Sequence, residues 1–266
     1  MLRLCQQRDF YDGVFVSIVI LRPTHKIKAS QQAFSHAGLT AVGVALQTLL
    51  PADDIGYIVQ SANIGQAKHI IFTSQRAACL SLPFIPALPS QTYLYAVGPS
   101  TFETIAQWTN QHPFWCNNHQ IMLPDVRHFT SEGLLALAPL QKARLCSENP
   151  ENIVIVKGHN GRSTLRETLL ERGANVIECA VYSRENLPVP EATHSWVMAD
   201  IKTMVTTSSE QLQQAFKVFP KAWLISLQWV VVSERTALSA KQLGITKIYI
   251  ANGASDAALI EKVQSI

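Results

Sequence analysis

Short apolar segments alternate along the chain with longer segments in which apolar residues recur every three or four positions. Segments of the first kind, such as 18–21, predict buried strands, and those of the second kind predict amphipathic helices. In the stretch 162–172, for example, Leu165, Leu169 and Leu170 form an apolar stripe among charged residues. Strands that alternate with helices in this way are typical of a parallel sheet covered by helices on both faces.

This pattern occurs twice in the chain, in the same order, and all but the last of the matched pairs are offset by 134 or 135 residues. An apolar strand that ends in a cation appears at Arg22 and again 135 residues later at Lys157. The other matched pairs are Gly38 with Gly173, Thr73-Ser74 with Thr207-Ser208, Thr101 with Thr236, and Ser131-Glu132 with Ser255-Asp256. The glycines suit the left-handed position after a helix, and a serine followed by an acid suits a helix start. Each repeat is therefore predicted to contain five strands that alternate with helices.

Proline-bearing breaks follow the second strand of each repeat, at 50–51 and at 187–190. Their position allows the first strand-helix-strand of one repeat to join the remainder of the other. One domain would then comprise 14–50 and 183–266, and the other 51–182, with two crossing strands between them and a cleft at the crossing. The expected architecture is a pair of similar three-layer α/β/α domains with parallel, flavodoxin-like sheets.

Composition narrows the function classes. Of the 266 residues, 47% are hydrophobic and 15% charged, which is enough apolar material for a folded core, and the net charge of +3 is too weak to favour nucleic-acid binding. The five cysteines include no Cys-x-x-Cys pair and the eight histidines show no metal-ligand spacing, so we expect no disulfide framework, no metal and a reducing cytoplasm. No apolar run is long enough to span a membrane, and 1–13 resembles a short extension rather than a signal peptide.

Open parallel sheets bind ligands at the carboxyl ends of their strands, and the motifs of both repeats fall there. Hydroxyls, glycine backbone and a few cations at helix starts form a surface suited to anions, which we expect to line the shared cleft. The candidate substrate-binding residues are Arg22, Thr73, Ser74, Gly98, Thr101, Lys157, Gly158, Gly161, Arg162, Thr207, Ser208, Ser233, Arg235 and Thr236.

Each of these motifs also has a purely structural interpretation. The glycine loop 157–163 has neither P-loop nor Gly-x-Gly-x-x-Gly spacing, and a plain strand-to-helix turn explains it equally well. A Thr-Ser pair at a strand end is as often a simple helix cap. Tyr182 could donate a proton into the cleft, although its position alone favours an aromatic side chain that packs at the domain junction. His159 is interpreted as a solvated loop residue.

The order and spacing of the motifs resemble those of the uroporphyrinogen-III synthase family, from about Ile18 to the end of the chain. The matching segments are 72–74, 97–101, 131–135, 157–162, 171–174, 182–184 and 232–235. The loop Gly-x-x-Gly-Arg followed twenty residues later by Tyr-x-Arg is the sharpest of them, and the Ser-Glu-Arg turn resembles the gammaproteobacterial form. The chain departs from the general family pattern at 232–236, where Ile-Gly-x-Thr-Thr is usual.

The resemblance implies a bilobed enzyme that cyclises hydroxymethylbilane, inverts its terminal pyrrole ring and releases water to give uroporphyrinogen III, without a cofactor. It makes Tyr182 the candidate general acid and places Thr101 and Thr236 near the site. The implied partners are the substrate, with its eight carboxylates, and transiently porphobilinogen deaminase; we expect a monomer. Two alternatives stay open at this point, a two-lobed small-ligand binding module without catalysis and a nucleotide-sugar transferase with two α/β lobes.

Overall fold

The computed structural model describes residues 16–115, 120–125, 129–145, 149–159, 161 and 163–266. The predicted extension 1–13 and the candidate binding residue Arg162 lie outside these residues. The strands and α-helices follow one another as β1 (Ile18–Leu21), α1 (Thr24–His36), β2 (Ala41–Pro51), α2 (Ile55–Ser61), β3 (His69–Phe72), α3 (Gln75–Ser81), β4 (Tyr93–Ala96), α4 (Pro99–Gln111), β5 (Ile121–Met122), α5 (Ser131–Leu135), α6 (Lys142–Leu145), β6 (Asn152–Gly158), α7 (Thr164–Glu171), β7 (Asn175–Ala192), β8 (Thr203–Thr206), α8 (Ser209–Val218), α9 (Lys221–Ser226), β9 (Gln228–Val231), α10 (Glu234–Gln242), β10 (Ile248–Ile250) and α11 (Asp256–Gln264).

The chain forms two compact units, each built on a five-stranded parallel sheet. The split unit contains the described residues up to Leu49 together with Glu185–Ile266, and its strand order is β2-β1-β8-β9-β10. The continuous unit is Leu50–Arg184, with the order β7-β6-β3-β4-β5. Each sheet therefore combines the first two strands of one repeat with the last three of the other. The predicted fold class, a parallel α/β fold with an exchanged strand-helix-strand, is confirmed.

Helices cover both faces of the sheet in the split unit. Val19 of β1 packs with residues of α8, α9 and α10, whereas its neighbour Ile20 packs with Phe34 of α1 and Leu259 of α11. All four side chains are buried. Because successive residues of a strand point to opposite faces, a wholly apolar strand such as β1 fits only between two layers of helices.

The apolar stripe of α7 is narrower than the sequence predicts. Leu165 and Leu169 are buried against Ile71 and Ile155 of the sheet, but Leu170 is 40% exposed. The helix also begins at Thr164 rather than at residue 162. Residues four apart share one face of a helix, whereas residue 170 lies about 100° further round, outside the contact with the sheet.

The ends of several helices follow the sequence signals. Gly38 and Gly173 end helices with positive φ values of 77° and 95°, as predicted. Ser255 caps α11, because its Oγ accepts a hydrogen bond from the Ala258 nitrogen at 3.3 Å. The prediction for α5 is wrong by one residue: its cap is Thr130, whose Oγ1 accepts from the nitrogen of Gly133 at 3.1 Å.

The prolines expected to interrupt the chain after β2 and β7 lie within those strands. Pro51 is the last residue of β2, and β7 continues through Pro188 and Pro190. Two prolines spaced two residues apart have their nitrogens on the same edge of a strand. The N–H donors of the opposite edge are therefore kept. The chain passes from one unit to the other within these two long strands.

Helix α1 lies so close to β2 that one position requires glycine. A Cβ on Gly43 would stand 2.5 Å from the carbonyl oxygen of Ile27 and 3.0 Å from that residue's Cβ. The nearest obstacle is helix backbone, which moves only if the whole helix moves. We expect Gly43→Ala to lower the free energy of unfolding by about 1–3 kcal/mol, as overpacking does in other cores. Urea unfolding followed by circular dichroism measures this, and an unchanged midpoint would show that α1 shifts freely.

A buried histidine links three strands at the amino ends of the sheet in the continuous unit. His69 has its Nδ1 2.9 Å from the hydroxyl of Tyr95 and its Nε2 2.6 Å from the Glu151 carboxylate, and its ring stacks on Tyr93. A carboxylate accepts only, so Nε2 carries the hydrogen and Tyr95 donates to Nδ1. Burial lowers the pKa of His69 below its ordinary value of 6.5, although the bond to Glu151 opposes this and Lys68 adds to it.

We expect the stability of the continuous unit to fall as the pH drops below about 6.5. In that range His69 binds a proton in the unfolded chain but not in the folded chain, so the free energy of unfolding decreases with decreasing pH. The decrease ends once the pH falls below the lowered pKa of His69 in the folded protein. The measurement is the slope of unfolding free energy against pH, compared between the wild type and His69→Gln. Identical slopes in the two proteins would contradict the prediction.

Candidate active site

Each sheet has one point at which its strand order reverses, and ligands bind such sheets there, beyond the carboxyl ends of the strands. In the continuous unit the two strands at this point are β6 and β3, and in the split unit they are β1 and β8. The candidate residues of each unit follow these strands or the strand next to them.

The Thr73-Ser74 pair follows β3 and begins α3. Ser74 is the cap of that helix, since its Oγ accepts a hydrogen bond from the Ala77 nitrogen at 3.1 Å. Thr73 donates from Oγ1 to the carbonyl of Val156 at 3.2 Å, which ties β3 to β6. Both hydroxyls therefore have structural partners, and both remain partly exposed.

Tyr182 lies against this helix start. Its hydroxyl oxygen is 3.2 Å from the Oγ of Ser74, and its side chain is largely buried. The ring rests on the backbone of Gly158, where a Cβ would stand 2.7 Å from two ring carbons. Tyr182 thus combines a packed ring with a hydroxyl beside a helix start.

The described residues of the glycine loop hydrogen-bond to one another and to β7. The nitrogen of Gly161 donates to the carbonyl of Gly158 at 3.2 Å, and the nitrogen of His159 donates to the carbonyl of Tyr182 at 2.7 Å. Lys157 is buried, and its Nζ lies 2.7 Å from the Glu178 carboxylate and 3.5 Å from the Gly161 carbonyl. The His159 side chain is exposed, as expected. The described part of the loop thus connects β6 to α7, and the charge of Lys157 is neutralised by Glu178.

Helix α4 begins next to this group. Gly98 is its cap residue, and among the described residues a Cβ there would meet only the Phe129 Cβ, at 3.9 Å. Thr101 is 5% exposed, and its nitrogen donates to the carbonyl of Gly98 at 3.1 Å. The free space around the Gly98 Cα is compatible with a ligand, whereas Thr101 is buried in the first turn of α4.

Sequence reasoning missed a cation in this unit. Arg76 is the second residue of α3, two positions after Ser74, and its half-buried side chain has a buried Nε without a hydrogen-bond partner among the described residues. A buried guanidinium nitrogen without a hydrogen-bond partner beside a helix start favours an anionic ligand. The signal in the sequence is an arginine in the first turn after the Thr-Ser pair.

In the split unit, Arg22 is committed to an internal ion pair. Its Nη2 donates to the Asp256 carboxylate at 2.7 Å and to the carbonyl of Ala254 at 2.8 Å, and the side chain is 7% exposed. Ser30 of α1 donates to the same carboxylate oxygen at 2.8 Å. The pair therefore joins the end of β1 to the starts of α1 and α11, and Arg22 is not an exposed cation.

Lys26 is a second cation near this pair that the motifs did not reveal. Burial lowers its pKa, the positive charge of Arg22 lowers it further, and Asp256 opposes both. The side chain stands in the first turn of α1, after the cap residue Pro23, which contributes no side-chain hydrogen bond. The spacing of Lys26 four residues after Arg22 is the only sequence signal for it.

The remaining hydroxyls of the split unit also serve helix starts. Ser208 Oγ accepts from the Gln211 nitrogen at 3.1 Å, and Ser233 Oγ accepts from the Thr236 nitrogen at 3.3 Å. Thr236 is 1% exposed, with its hydroxyl 3.1 Å from that of Ser233. Thr207 is partly exposed, and Arg235 is exposed. Of the candidate binding residues in this paragraph, Arg235 is therefore the most accessible and Thr207 is partly so. Thr236 is buried and contacts Ser233 at the start of α10.

The described part of the chain also bears on metal binding, thiol chemistry and membrane insertion. It contains no group of three or more His, Cys, Asp or Glu side chains placed to hold a metal ion. Cys79 is exposed and Cys179 buried, both as free thiols, and burial raises the pKa of Cys179 to about 11. Within the same residues no helix is both long enough and apolar enough to cross a membrane.

Comparison with known proteins decides the family. A family model described as uroporphyrinogen-III synthase HemD matches residues 28–261. This chain belongs to the uroporphyrinogen-III synthase family. The uroporphyrinogen-III synthase of Escherichia coli K12 is 27% identical over 263 residues, which cover 94% of this chain and all of that protein. The Salmonella typhimurium uroporphyrinogen-III synthase is 35% identical over 140 residues, which cover 50% of this chain and 55% of that protein.

Solved structures with the same fold carry the same family name. A mutant uroporphyrinogen III synthase of Thermus thermophilus aligns with a TM-score of 0.57 at 14% identity, covering 94% of this chain and 96% of that one. The uroporphyrinogen-III synthetase of Helicobacter pylori aligns with a TM-score of 0.54 at 17% identity, covering 94% and 98%. At such low identities these alignments show the shared fold, and the family model shows the family.

Proposed function

We propose that this protein is a cofactor-free lyase that converts hydroxymethylbilane to uroporphyrinogen III, with inversion of the terminal pyrrole ring and release of water. The observation that carries this proposal is the family match, which extends through both units. We further propose that it acts as a monomer on substrate supplied by porphobilinogen deaminase. This function also accounts for the hydroxyl groups and helix starts at the carboxyl ends of both sheets.

The side chains at these edges suit a substrate with eight carboxylates. Arg76, Arg235 and Lys26 are the cations with unsatisfied or exposed positive charge, and helix starts supply backbone N–H groups. Arg22 and Lys157 carry charges that are already paired. We therefore infer that the latter two hold the strand ends in place, and that carboxylates are bound mainly by the other groups.

The chemistry requires one proton donor and control of geometry. Tyr182 would give its phenol proton to the terminal hydroxyl as the C–O bond breaks, so that water leaves and the pyrrole nitrogen lone pair stabilises the azafulvenium cation. The last pyrrole attacks through its substituted position, and the spiro intermediate fragments and recombines with that ring inverted. Closure releases a proton from the ring carbon, which restores the phenol. Spontaneous closure gives the uninverted isomer, so the protein acts chiefly by orienting the reacting ends.

The experiment supplies hydroxymethylbilane, made in the cuvette by porphobilinogen deaminase, to the purified protein. The products are oxidised and the uroporphyrin isomers are separated by chromatography. Isomer III in excess over isomer I is the expected result. Isomer I alone, from protein with a cooperative unfolding transition, would overturn the proposal and leave a binding module without catalysis as the better interpretation.

A further inference from the structure

The hydroxyl end of Tyr182 is fixed from two sides. Its oxygen lies 3.2 Å from Ser74 Oγ. A Cβ on Gly158 would stand 2.7 Å from Cε2 and Cζ of the ring and 3.0 Å from the hydroxyl oxygen. All three atoms belong to the hydroxyl end of the ring, so it is this end that lies directly on the glycine backbone. A side chain at position 158 would displace the hydroxyl rather than the base of the ring.

An irregularity in strand pairing produces this contact. Lys157 of β6 pairs with Ala180 of β7, but the next residue, Gly158, pairs with Tyr182 because the register shifts between them. The His159 nitrogen then donates to the carbonyl of Tyr182 at 2.7 Å and secures the shifted register. Bulges of this kind redirect a side chain, and here the side chain is the tyrosine.

A hydroxyl oxygen has one hydrogen and two lone pairs, so the hydrogen bond between Ser74 and Tyr182 can run in either direction. When Ser74 is the donor, the phenol proton stays available. The Ser74 oxygen then accepts the N–H of Ala77 and donates its own hydrogen to the Tyr182 oxygen. In that arrangement the phenol hydrogen points away from Ser74. A phenolate formed by proton transfer would keep the Ser74 hydrogen bond, and a bond to an ionised oxygen is about twice as strong as one between neutral groups.

We propose that Ser74 and Gly158 are positioning residues for Tyr182 rather than direct contacts to the substrate. Gly158 provides the flat surface on which the phenol lies, and Ser74 orients its hydroxyl and stabilises the oxygen after the proton leaves. This assignment rests on the proposed synthase function and on Tyr182 as its acid. It reassigns two residues that the sequence analysis placed among the substrate-binding set.

The first test is a double-mutant cycle with Gly158→Ala and Tyr182→Phe. The backbone at Gly158 has no positive φ, so alanine introduces no backbone strain and acts through the ring. We expect Gly158→Ala to lower kcat about tenfold to a hundredfold with little change in KM, because displacements near 1 Å cost on this order. In the Tyr182→Phe protein the same substitution should change kcat by less than about twofold, since both act on one group.

The second test concerns Ser74. Ser74→Gly removes the hydroxyl but keeps most of the cap energy, and Ser74→Thr retains both hydroxyl and cap. We expect kcat to fall about tenfold in the glycine variant and to recover in the threonine variant, on the general scale of acid catalysis. Asp54→Gly is the matched control, because Asp54 caps α2 in the same unit, accepting from the Tyr57 nitrogen at 2.8 Å, and has no tyrosine hydroxyl bonded to it.

Independent effects would overturn the proposal. If Gly158→Ala raises KM and its effect adds to that of Tyr182→Phe, Gly158 contacts the substrate itself. Equal losses of kcat in Ser74→Gly and Asp54→Gly would reduce Ser74 to a helix cap. Both results presuppose that the wild type forms isomer III, so they are distinct from a failure of the proposed function, in which the wild type forms isomer I alone.

Discussion

Tyr182→Phe is expected to lower kcat for isomer III formation by about a hundredfold while leaving KM within about a factor of two. Loss of a positioned general acid costs on this order, and phenylalanine preserves the packing of the ring on Gly158. The measurement is the initial rate of uroporphyrinogen III formation from enzymatically supplied hydroxymethylbilane. An unfolding transition equal to that of the wild type would show that the loss is chemical.

A second tyrosine of the same unit provides the control. Tyr57 is 67% exposed on α2, so Tyr57→Phe should leave the rate unchanged. Full turnover by Tyr182→Phe would remove the proton donor from the proposed mechanism. The protein would then act by orientation alone, and the positioning assignment of Ser74 and Gly158 would fall with it.

Asp256→Ala is expected to cost about 2–4 kcal/mol of unfolding free energy. It leaves the Arg22 guanidinium buried with only the Ala254 carbonyl as a partner, and removal of one member of a buried ion pair is costly because the other charge is stranded. We place the cost below that of a fully buried pair because the Asp256 side chain is 30% exposed. Urea unfolding at pH 7 measures it.

A double variant and a surface variant separate this cause from general damage to α11. Adding Arg22→Met removes the stranded charge, so the double variant should be more stable than Asp256→Ala alone. Glu261→Ala removes an exposed acid from the same helix and should change the stability by less than about 0.5 kcal/mol. A double variant less stable than Asp256→Ala would show that Arg22 stabilises through its packing.

Much of the fold was predictable because its signals are local. The alternation of strands and helices follows from the residues within each segment, and the repeat follows from comparing the two halves of one sequence. The left-handed conformations of Gly38 and Gly173 need only the residue type and its place after a helix. The same holds for the caps at Ser74, Ser208 and Ser233.

The predictions that failed depended on neighbours outside the segment. The exposure of Leu170 was decided by where the sheet lies against α7, and the cap of α5 by which hydroxyl reaches the Gly133 nitrogen. The prolines at 188 and 190 lie within β7, and a proline-rich stretch of sequence does not reveal that its residues continue a strand.

By itself, the sequence determined the class of fold, the repeat and the set of hydroxyls, glycines and cations that follow the strands. Only the tertiary structure decided which of these residues are buried, paired or accessible. Arg22 is neutralised by a carboxylate 234 residues away and Lys157 by Glu178, whereas Arg76 has no ion-pair partner among the described residues. Propensities and caps act over a few residues, whereas ion pairing, burial and the strand register that lays Tyr182 on Gly158 arise when distant segments meet.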